Sequence, residues 1–236
     1  MLKLNNINVF YGKKQILLDT SLAISQDDRL LLIGPNGAGK STLIKAICGV
    51  ISDTEGQITF LDKSISSWSP YKRINAGFGY LLQTKNIVPG LTVKENLLLG
   101  GYSLGTHVIN TRIEETLSIF EFLREKINTR AGLLSGGERQ ALAISMVLMK
   151  RPQLLLLDEP SAGLSPKAAS EILAHVKNIQ ERLGIKAVCM VEHNLRLALP
   201  WATRVAVLVS GKVVHISENP QQYLTNPEEL EKFFFG

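Results

Sequence analysis

Residues 34–41 read Gly34-Pro35-Asn36-Gly37-Ala38-Gly39-Lys40-Ser41, so that four residues separate one glycine from a Gly-Lys-Ser triplet. The apolar run over 29–33 precedes this stretch and predicts a short buried strand, whereas apolar residues at helical spacing follow it. Glycines in such a loop allow backbone N–H groups to point inward around phosphate oxygens, and the start of a helix adds positive charge. The order strand, loop and helix therefore predicts a phosphate-binding loop within an α/β fold.

Two side chains at the end of this loop carry specific chemistry. Lys40 supplies positive charge for the outer phosphates of a nucleotide, and the Ser41 hydroxyl is placed to ligate Mg²⁺. Thr42 follows in the predicted helix and completes the expected nucleotide-binding stretch, 34–42. We therefore expect the chain to bind ATP together with Mg²⁺.

Two adjacent acids follow a second apolar run. Four leucines over 154–157 predict a buried strand, which would deliver Asp158 to the carboxyl edge of the sheet, where open α/β sheets bind ligands. Asp158 can hold the magnesium shell, and Glu159 can orient or deprotonate an attacking water molecule. His193 follows another apolar strand and could reach the same edge, although a single histidine is more often a turn residue.

The remaining sequence alternates strand and helix patterns. Apolar residues at three-to-four spacing over 93–101, 112–122 and 137–149 predict a mostly helical lobe. A helix is also expected from Lys40, and another over 168–183. Strands are expected over 2–9, 20–24, 29–33, 57–61 (an antiparallel edge), 153–157, 186–191, 204–210 and 212–217. This alternation indicates a largely parallel sheet covered on both faces.

The composition is that of a soluble globular chain of 236 residues, with 45% hydrophobic and 20% charged residues. Its net charge of +5 comes from scattered Lys and Arg without a run of five, so we expect solvated surface lysines and no nucleic-acid partner. Cys48 and Cys189 lie in apolar segments, as expected for reduced cysteines of a cytosolic protein. Neither a signal peptide nor an apolar run of about 18 residues is evident, so any membrane role is expected to act through a partner.

A third motif, Leu134-Ser135-Gly136-Gly137-Glu138-Arg139-Gln140, precedes the helix predicted over 137–149. The Ser135 hydroxyl, the two glycines that permit close backbone approach and the helix start together form a possible second phosphate-binding element. Taken alone, the motif is explained better by ordinary helix capping.

Together with the loop at 34–41 and the acids at 158–159, this motif resembles the signature of ATP-binding cassette (ABC) ATPases. The resemblance covers essentially the whole chain. It implies a P-loop NTPase (RecA-like) α/β core with an antiparallel β subdomain and an inserted helical subdomain. We expect a single domain over 1–236, with the nucleotide-binding core and β subdomain over 1–83 and 152–236 and the helical lobe over 84–151.

The resemblance also implies roles for individual residues. Tyr11 would stack on adenine, and Gln83 would link the nucleotide site to the helical lobe. Glu159 would be the catalytic carboxylate and His193 the switch histidine near the γ-phosphate. The expected magnesium ligands are Ser41, Gln83 and Asp158.

The motif at 135–138, comprising Ser135, Gly136, Gly137 and Glu138, would contact the γ-phosphate of ATP bound to an opposite subunit. Two cassettes, identical or paralogous, would then sandwich two nucleotides head to tail. Ser165 stands where the family commonly has Asp, and Glu138 where Gln is frequent. Neither departure changes a phosphate or metal ligand, so activity is expected, but Ser165 bears on communication between the subunits.

Three stretches, 86–101, 163–166 and 191–194, look like those of cassettes for branched-chain or hydrophobic amino acids. Such a cassette would work with two membrane permease subunits at the cytoplasmic face of the inner membrane, and indirectly with a periplasmic-type solute-binding protein. Residues 83–99 would dock the permease. Import is favoured over export, and the solute stays open.

Several alternatives remain at this point. Urea importer cassettes are similar in the same three stretches, and a lipopolysaccharide-export-type cassette shares much of the pattern. A soluble ABC ATPase usually carries insertions or a second fused cassette, which this compact chain lacks. A regulatory module without hydrolysis would have lost Glu159 or His193, and both are present.

Overall fold

The computed structural model describes residues 1–83 and 86–235. They divide into two compact units, Met1–Phe78 with Lys186–Gly236, and Gly79–Ile185. Thr84 and Lys85, where the predicted helical lobe begins, and Gly236, where the predicted domain ends, lie outside the described residues. The domain boundaries expected above therefore stay a prediction.

The described residues form strands and helices in alternation. The strands are β1 Leu2–Tyr11, β2 Lys14–Ile24, β3 Arg29–Ile33, β4 Thr54–Phe60, β5 Lys63–Ser64, β6 Phe78–Leu81, β7 Leu154–Asp158, β8 Ala187–Val191, β9 Arg204–Val209 and β10 Lys212–Ser217. The helices are α1 Lys40–Ile47, α2 Pro70–Asn75, α3 Val93–Gly100, α4 Thr106–Leu117, α5 Phe122–Glu125, α6 Gly136–Leu148, α7 Pro166–Leu183, α8 Leu195–Ala198, α9 Gln222–Thr225 and α10 Glu228–Phe235. A short 3₁₀ turn covers Ala131–Leu133.

The first unit contains an antiparallel sheet in the order β2-β1-β4-β5. Alternate residues of β1 are buried, which fixes the register with β2 at Leu2↔Ile24 and Leu4↔Leu22. The strand predicted over 57–61 is β4, and it is antiparallel as expected. Its expected edge position is wrong, because the two-residue strand β5 pairs with it on the side away from β1.

A second sheet in the same unit places β3 between β8 and β9, both parallel to it, with β10 antiparallel at the far side of β9. Leu31 of β3 lies opposite Met190 of β8 and Val205 of β9. All three side chains are fully buried, as parallel strands covered on both faces require. The carboxyl ends of β3 and β8 consequently share one edge, which positions the loop at 34–41 and the segment after Val191.

The helix that follows the loop is anchored at its far end by Arg73. This side chain is only 2% exposed, and its guanidinium donates to the carbonyls of Ala46 and Ile47 in the last turn of α1, at 2.9 and 2.6 Å. It also donates to the carbonyls of Ile65, Ser66 and Trp68. One buried cation thus satisfies carbonyls that the helix end cannot pair internally.

The second unit is mainly helical. α6 packs against α3 and α7, and each of these helices begins at a side-chain cap, from Ser135, Thr92 and Ser165 respectively. The helical spacing predicted over 112–122 spans two helices, because α4 ends at Leu117 and α5 begins only at Phe122. Ile119 and Phe120 are buried in the intervening turn, so their apolar character continues the pattern without continuing the helix. No helix among residues 1–83 and 86–235 is both long and apolar enough to cross a membrane.

Candidate functional site

The predicted phosphate loop leaves the buried strand β3 in a conformation that only glycine tolerates. Gly34 has φ 154°, and a Cβ atom there would lie 1.9 Å from the carbonyl oxygen of Leu208. Gly39 has φ 105°, and a Cβ atom there would meet the Leu17 side chain at 2.8 Å. The glycines therefore let the loop pass close to neighbouring strands, and they place no side chain beside its backbone amides.

Lys40 begins α1 and is 6% exposed. Its ammonium group donates to the carbonyls of Gly34 and Pro35, at 2.8 and 2.9 Å, so the lysine bridges its own loop. Ser41 and Thr42 are half-buried in the first turn. α1 has no side-chain cap and no acidic residue in that turn, so its N-terminal amides and the lysine leave a positive environment suited to phosphate.

Two further predicted residues lie in the first unit. Tyr11 ends β1 before the turn to Lys14 and is 50% exposed, so part of this aromatic residue is open to solvent. His193 is exposed just beyond β8, the parallel neighbour of β3. The two therefore belong to the same unit as the loop at 34–41.

Glu192, beside His193, is a buried acid that the sequence pattern did not predict as a site residue. Its carboxylate is buried at 4% exposure and accepts from the backbone N–H groups of His193 and Asn194, at 2.8 and 3.1 Å. It thereby sets the path of the chain at the exposed histidine. The sequence does contain a pattern that could have predicted it: Glu192 directly follows an apolar strand, as Asp158 does.

The acids at the end of β7 have different environments. Asp158 is 1% exposed at the end of a strand whose five residues are all buried, whereas Glu159 is half-buried with φ 53°. The left-handed backbone at Glu159 costs roughly 1–2 kcal/mol for a non-glycine residue. Gln83 donates from Nε2 to Glu159 Oε2 at 2.8 Å. The structure thus brings together two predicted site residues that are 76 positions apart in the sequence.

The motif at 135–138 forms a capping box at the start of α6. The Ser135 hydroxyl accepts from the Glu138 N–H at 3.4 Å, and Glu138 Oε2 accepts from the Ser135 N–H at 2.8 Å. The motif therefore does cap the helix, which is the explanation that the sequence alone favoured. It does not exclude a phosphate role, since a hydroxyl that accepts one hydrogen bond can still donate another.

A cavity of about 460 Å³ lies against this capping box and also against the start of α7. Gly136 and Gly137 lie close enough to α7 that added Cβ atoms would be 3.4 Å from Leu164 and 3.2 Å from Ala168. Ser165 caps α7 by accepting from the Ala168 N–H at 3.4 Å, so the residue found where Asp is common keeps the capping function. Two helix N-termini thus border one cavity, which favours an anion, whereas the carboxylates of Glu138 and Glu171 in its lining oppose one.

His175 also lines the cavity. Its ring lies 4.8 Å from the ring of Phe120, and burial lowers the pKa of the imidazole below its usual value. A neutral ring therefore adds no positive charge to the cavity at neutral pH.

The expected magnesium ligands are oxygen donors of the kind that Mg²⁺ prefers, a hydroxyl, an amide carbonyl and a carboxylate. Asp158 suits this role in particular because it is a carboxylate buried at the end of an apolar strand. Ser41 belongs to the first unit, and Gln83 and Asp158 to the second.

The sequence resembles known proteins along its full length. The profile of the ABC transporter family matches residues 17–162. Over 236 residues, all of this chain and 99% of the relative, it is 36% identical to the "probable branched-chain amino acid transport ATP-binding protein LivF" of Archaeoglobus fulgidus. It is 34% identical to the high-affinity branched-chain amino acid transport ATP-binding protein BraG of Pseudomonas aeruginosa, with both chains fully covered.

Solved structures agree with these sequence relatives. A nucleotide-free ATP-binding cassette from an ABC transporter superposes with a TM-score of 0.84 at 28% identity, covering 100% of this chain and 99% of that one. A dimeric bacterial ABC transporter cassette superposes with a TM-score of 0.80 at 27% identity, covering 92% of this chain and 98% of that one.

Proposed function

The chain belongs to the ABC transporter family, whose ATP-binding subunits hydrolyse ATP to power transport, and we propose that it energises the import of branched-chain or other hydrophobic amino acids. The observation that carries the substrate class is the match to LivF and BraG over the entire chain. This match favours amino-acid import over urea import, lipopolysaccharide export or a soluble ATPase function.

Each predicted site residue has a proposed role in ATP hydrolysis. The loop at 34–42 binds the phosphates through its amides and the Lys40 ammonium, and Tyr11 stacks on adenine. Glu159 activates the attacking water, and His193 contacts the γ-phosphate. Gln83 positions Glu159, a role supported by the hydrogen bond between their side chains.

Mg²⁺ is proposed to be held by Ser41, Gln83 and Asp158. When bound, it would neutralise charge that develops on the β- and γ-phosphates. A hydroxyl, an amide carbonyl and a carboxylate are the kinds of oxygen donor that Mg²⁺ prefers, which supports the assignment.

A second cassette, identical or paralogous, is proposed as the partner that completes each site. The cavity beside Ser135–Glu138 lies at two helix N-termini and suits the γ-phosphate of the partner's ATP. A bacterial cassette of the same fold has been solved as a dimer, which supports this assembly.

Two permease subunits are proposed to dock on the stretch 83–99, with a periplasmic-type solute-binding protein supplying the solute. Val88 and Leu99 in this stretch are 40% and 48% exposed, apolar surface that a membrane subunit could cover. The cassette would then sit peripherally at the cytoplasmic face of the inner membrane.

The test is solute uptake by the assembled transporter. The chain, its cognate permeases and any partner cassette are reconstituted in liposomes with the solute-binding protein, and uptake of labelled leucine and urea is measured with ATP inside. We expect ATP-dependent leucine uptake that is lost with Glu159→Gln. Uptake of urea without leucine would overturn the amino-acid assignment, and crosslinks to the permease wholly outside 83–99 would overturn the docking site.

A further inference from the structure

Glu138 brings a negative charge to the start of α6. It occupies the third position of the helix, and its carboxylate folds back to accept from the Ser135 N–H at 2.8 Å. Ser135 and Glu138 line the same cavity. The group that orders the Ser135 backbone is thus an acid beside the surface proposed to receive phosphate.

An uncompensated carboxylate in this position opposes the binding of an anion. Like charges that share a site of reduced solvent access repel strongly, and the helix N-terminus offsets only part of one charge. The Glu138 side chain is only 20% exposed, so water screens it incompletely. The capping box therefore needs a cation if the cavity is to accept a terminal phosphate.

Lys126 supplies that cation. Its ammonium group forms an ion pair with Glu138 Oε1, leaving Glu138 Oε2 on the Ser135 N–H. The hydrogen bond from Lys126 is the main cause of a lowered pKa at Glu138, which keeps the carboxyl ionised at neutral pH. The pair thus joins a lysine whose side chain is 41% exposed to an acid that lines the cavity.

The backbone around Lys126 holds the ammonium in reach. Lys126 follows α5, its N–H donates to the Leu123 carbonyl at 3.2 Å, and its carbonyl accepts from the Thr129 N–H at 2.8 Å. The next residue, Ile127, accepts from the Lys94 N–H at 2.9 Å. Lys126 thus reaches Glu138 from a turn that is hydrogen-bonded on both sides.

We propose that Lys126 is a positioning residue for ATP bound by the partner cassette: it neutralises Glu138, so that the capping box orders Ser135 without repelling the γ-phosphate. This inference rests on the proposed function and deepens it. The Ser135 hydroxyl accepts from the Glu138 N–H and is left able to donate its own hydrogen to a phosphate oxygen. Lys126 acts through Glu138 and does not itself contact the nucleotide.

The test is a double-mutant cycle built on Glu159→Gln, a background chosen so that ATP-bound dimers accumulate. The variants are Lys126→Met, Lys126→Arg, Glu138→Gln and Lys126→Met with Glu138→Gln. Dimer formation is followed by light scattering as ATP is titrated, and ATP binding to the monomer is measured separately with a fluorescent ATP analogue. Lys126→Met should raise the ATP concentration for half-maximal dimerisation about tenfold, as expected for one uncompensated charge at an interface.

Rescue distinguishes charge compensation from other roles. Lys126→Arg should lie within about twofold of the background, because it keeps the cation. The double variant should need less ATP for dimerisation than Lys126→Met, because it also removes the acid that the cation neutralised. The double variant also lacks the ion pair, so it controls for any loss of folding in Lys126→Met. Monomer affinity for ATP should stay unchanged throughout, since the loop at 34–42 is untouched.

Three results would overturn the inference. If Lys126→Met dimerised at the same ATP concentration as the Glu159→Gln background, neutralisation of Glu138 by Lys126 would not be needed. A double variant as weak as Lys126→Met would show that the lysine does not act by neutralising Glu138. Failure of the unmutated chain to bind ATP at all would instead refute the proposed function, and this inference with it.

Discussion

The side-chain amide of Gln83 donates a hydrogen bond from Nε2 to Oε2 of Glu159 across 2.8 Å. Gln83 follows β6 and Glu159 follows β7, so the bond joins two residues that each lie just beyond the end of a strand. An amide cannot remove a proton from water, whereas the carboxylate can. This chemistry supports two separate proposed roles, Glu159 as the base and Gln83 as the residue that orients it.

Replacement of Glu159 by Gln removes the proposed base while keeping its size. We expect ATP to bind as before and turnover to fall by about 10²–10⁴-fold, the usual contribution of a positioned general base. ATP-bound dimers should accumulate because hydrolysis no longer releases them. Phosphate release and size-exclusion chromatography with ATP measure the two effects. Wild-type turnover no greater than that of the variant would refute the enzymatic role of Glu159.

Gln83→Ala should act on catalysis through the position of Glu159. We expect turnover to fall about tenfold while ATP affinity changes less than about twofold, because the base remains but is less well oriented. Asn86→Ala is the matched control, since the Asn86 amide pairs with the backbone of Leu82 near the same segment. If both variants lost turnover equally, loosening of the segment would explain the effect, and the role assigned to Gln83 would be wrong.

Lys40→Ala should weaken nucleotide binding itself. The lysine both bridges the loop carbonyls of Gly34 and Pro35 and provides the charge proposed to meet the outer phosphates. Loss of a charge-assisted contact of this kind should lower ATP affinity by about 10–100-fold. Equilibrium binding of a fluorescent ATP analogue measures it. Lys45→Ala, at the far end of α1, is the control and should bind as wild type does.

Much of the first unit could be predicted because its signals are local. The strand expected over 29–33 matches β3, and α1 begins at Lys40 as expected, since a buried apolar run and a glycine loop specify both within a few residues. β6 was missed, because Phe78-Gly79-Tyr80-Leu81 is short and contains a glycine, a weak strand signal. Helix α2 was missed as well, although Ser69 and Pro70 provide a capping residue and a favoured first residue.

The tertiary pairings of the candidate site were beyond the sequence pattern. Gln83 and Glu159 are 76 positions apart, and only the resemblance to a family suggested that they act together. Lys126 and Glu138 lie 12 positions apart, with Lys126 after α5 and Glu138 in α6. Neither the helical nor the strand repeat predicts contact between residues at this separation. In the sequence Arg73 is one of many basic residues, and nothing in the pattern predicts its burial against the end of α1.

Arg73→Met should destabilise the fold strongly. The substitution leaves the carbonyls at the end of α1 and after β5 without their buried donor, at an expected cost of about 2–4 kcal/mol in the free energy of unfolding. Lys72→Met is the matched control on the preceding residue: Lys72 is exposed and lies over the Trp68 ring at 4.4 Å, so about 0.5 kcal/mol is expected. Urea unfolding measures both. Equal losses would show that Arg73 is not the anchor of this helix end.

The imidazole of His175 should make the fold sensitive to acid. Burial lowers its pKa in the folded chain, so the unfolded chain takes up a proton at higher pH, near the ordinary value of about 6.5. As pH falls through that value, the unfolded state binds more protons than the folded state, and stability decreases until the folded-state pKa is passed. Glu171 raises the pKa of the ring and Arg182 lowers it, and burial, which acts in the same direction as Arg182, is the largest effect.

His175→Phe keeps an aromatic ring against Phe120 but cannot titrate. The variant should therefore lose less stability than wild type between pH 7.5 and pH 5.5, as measured by urea unfolding at both values. His107→Gln, which removes an exposed imidazole on α4, should follow wild type and controls for general effects of removing a histidine. If His175→Phe lost as much stability as wild type, the acid sensitivity would arise from another group, because the substitution removes only the imidazole of His175.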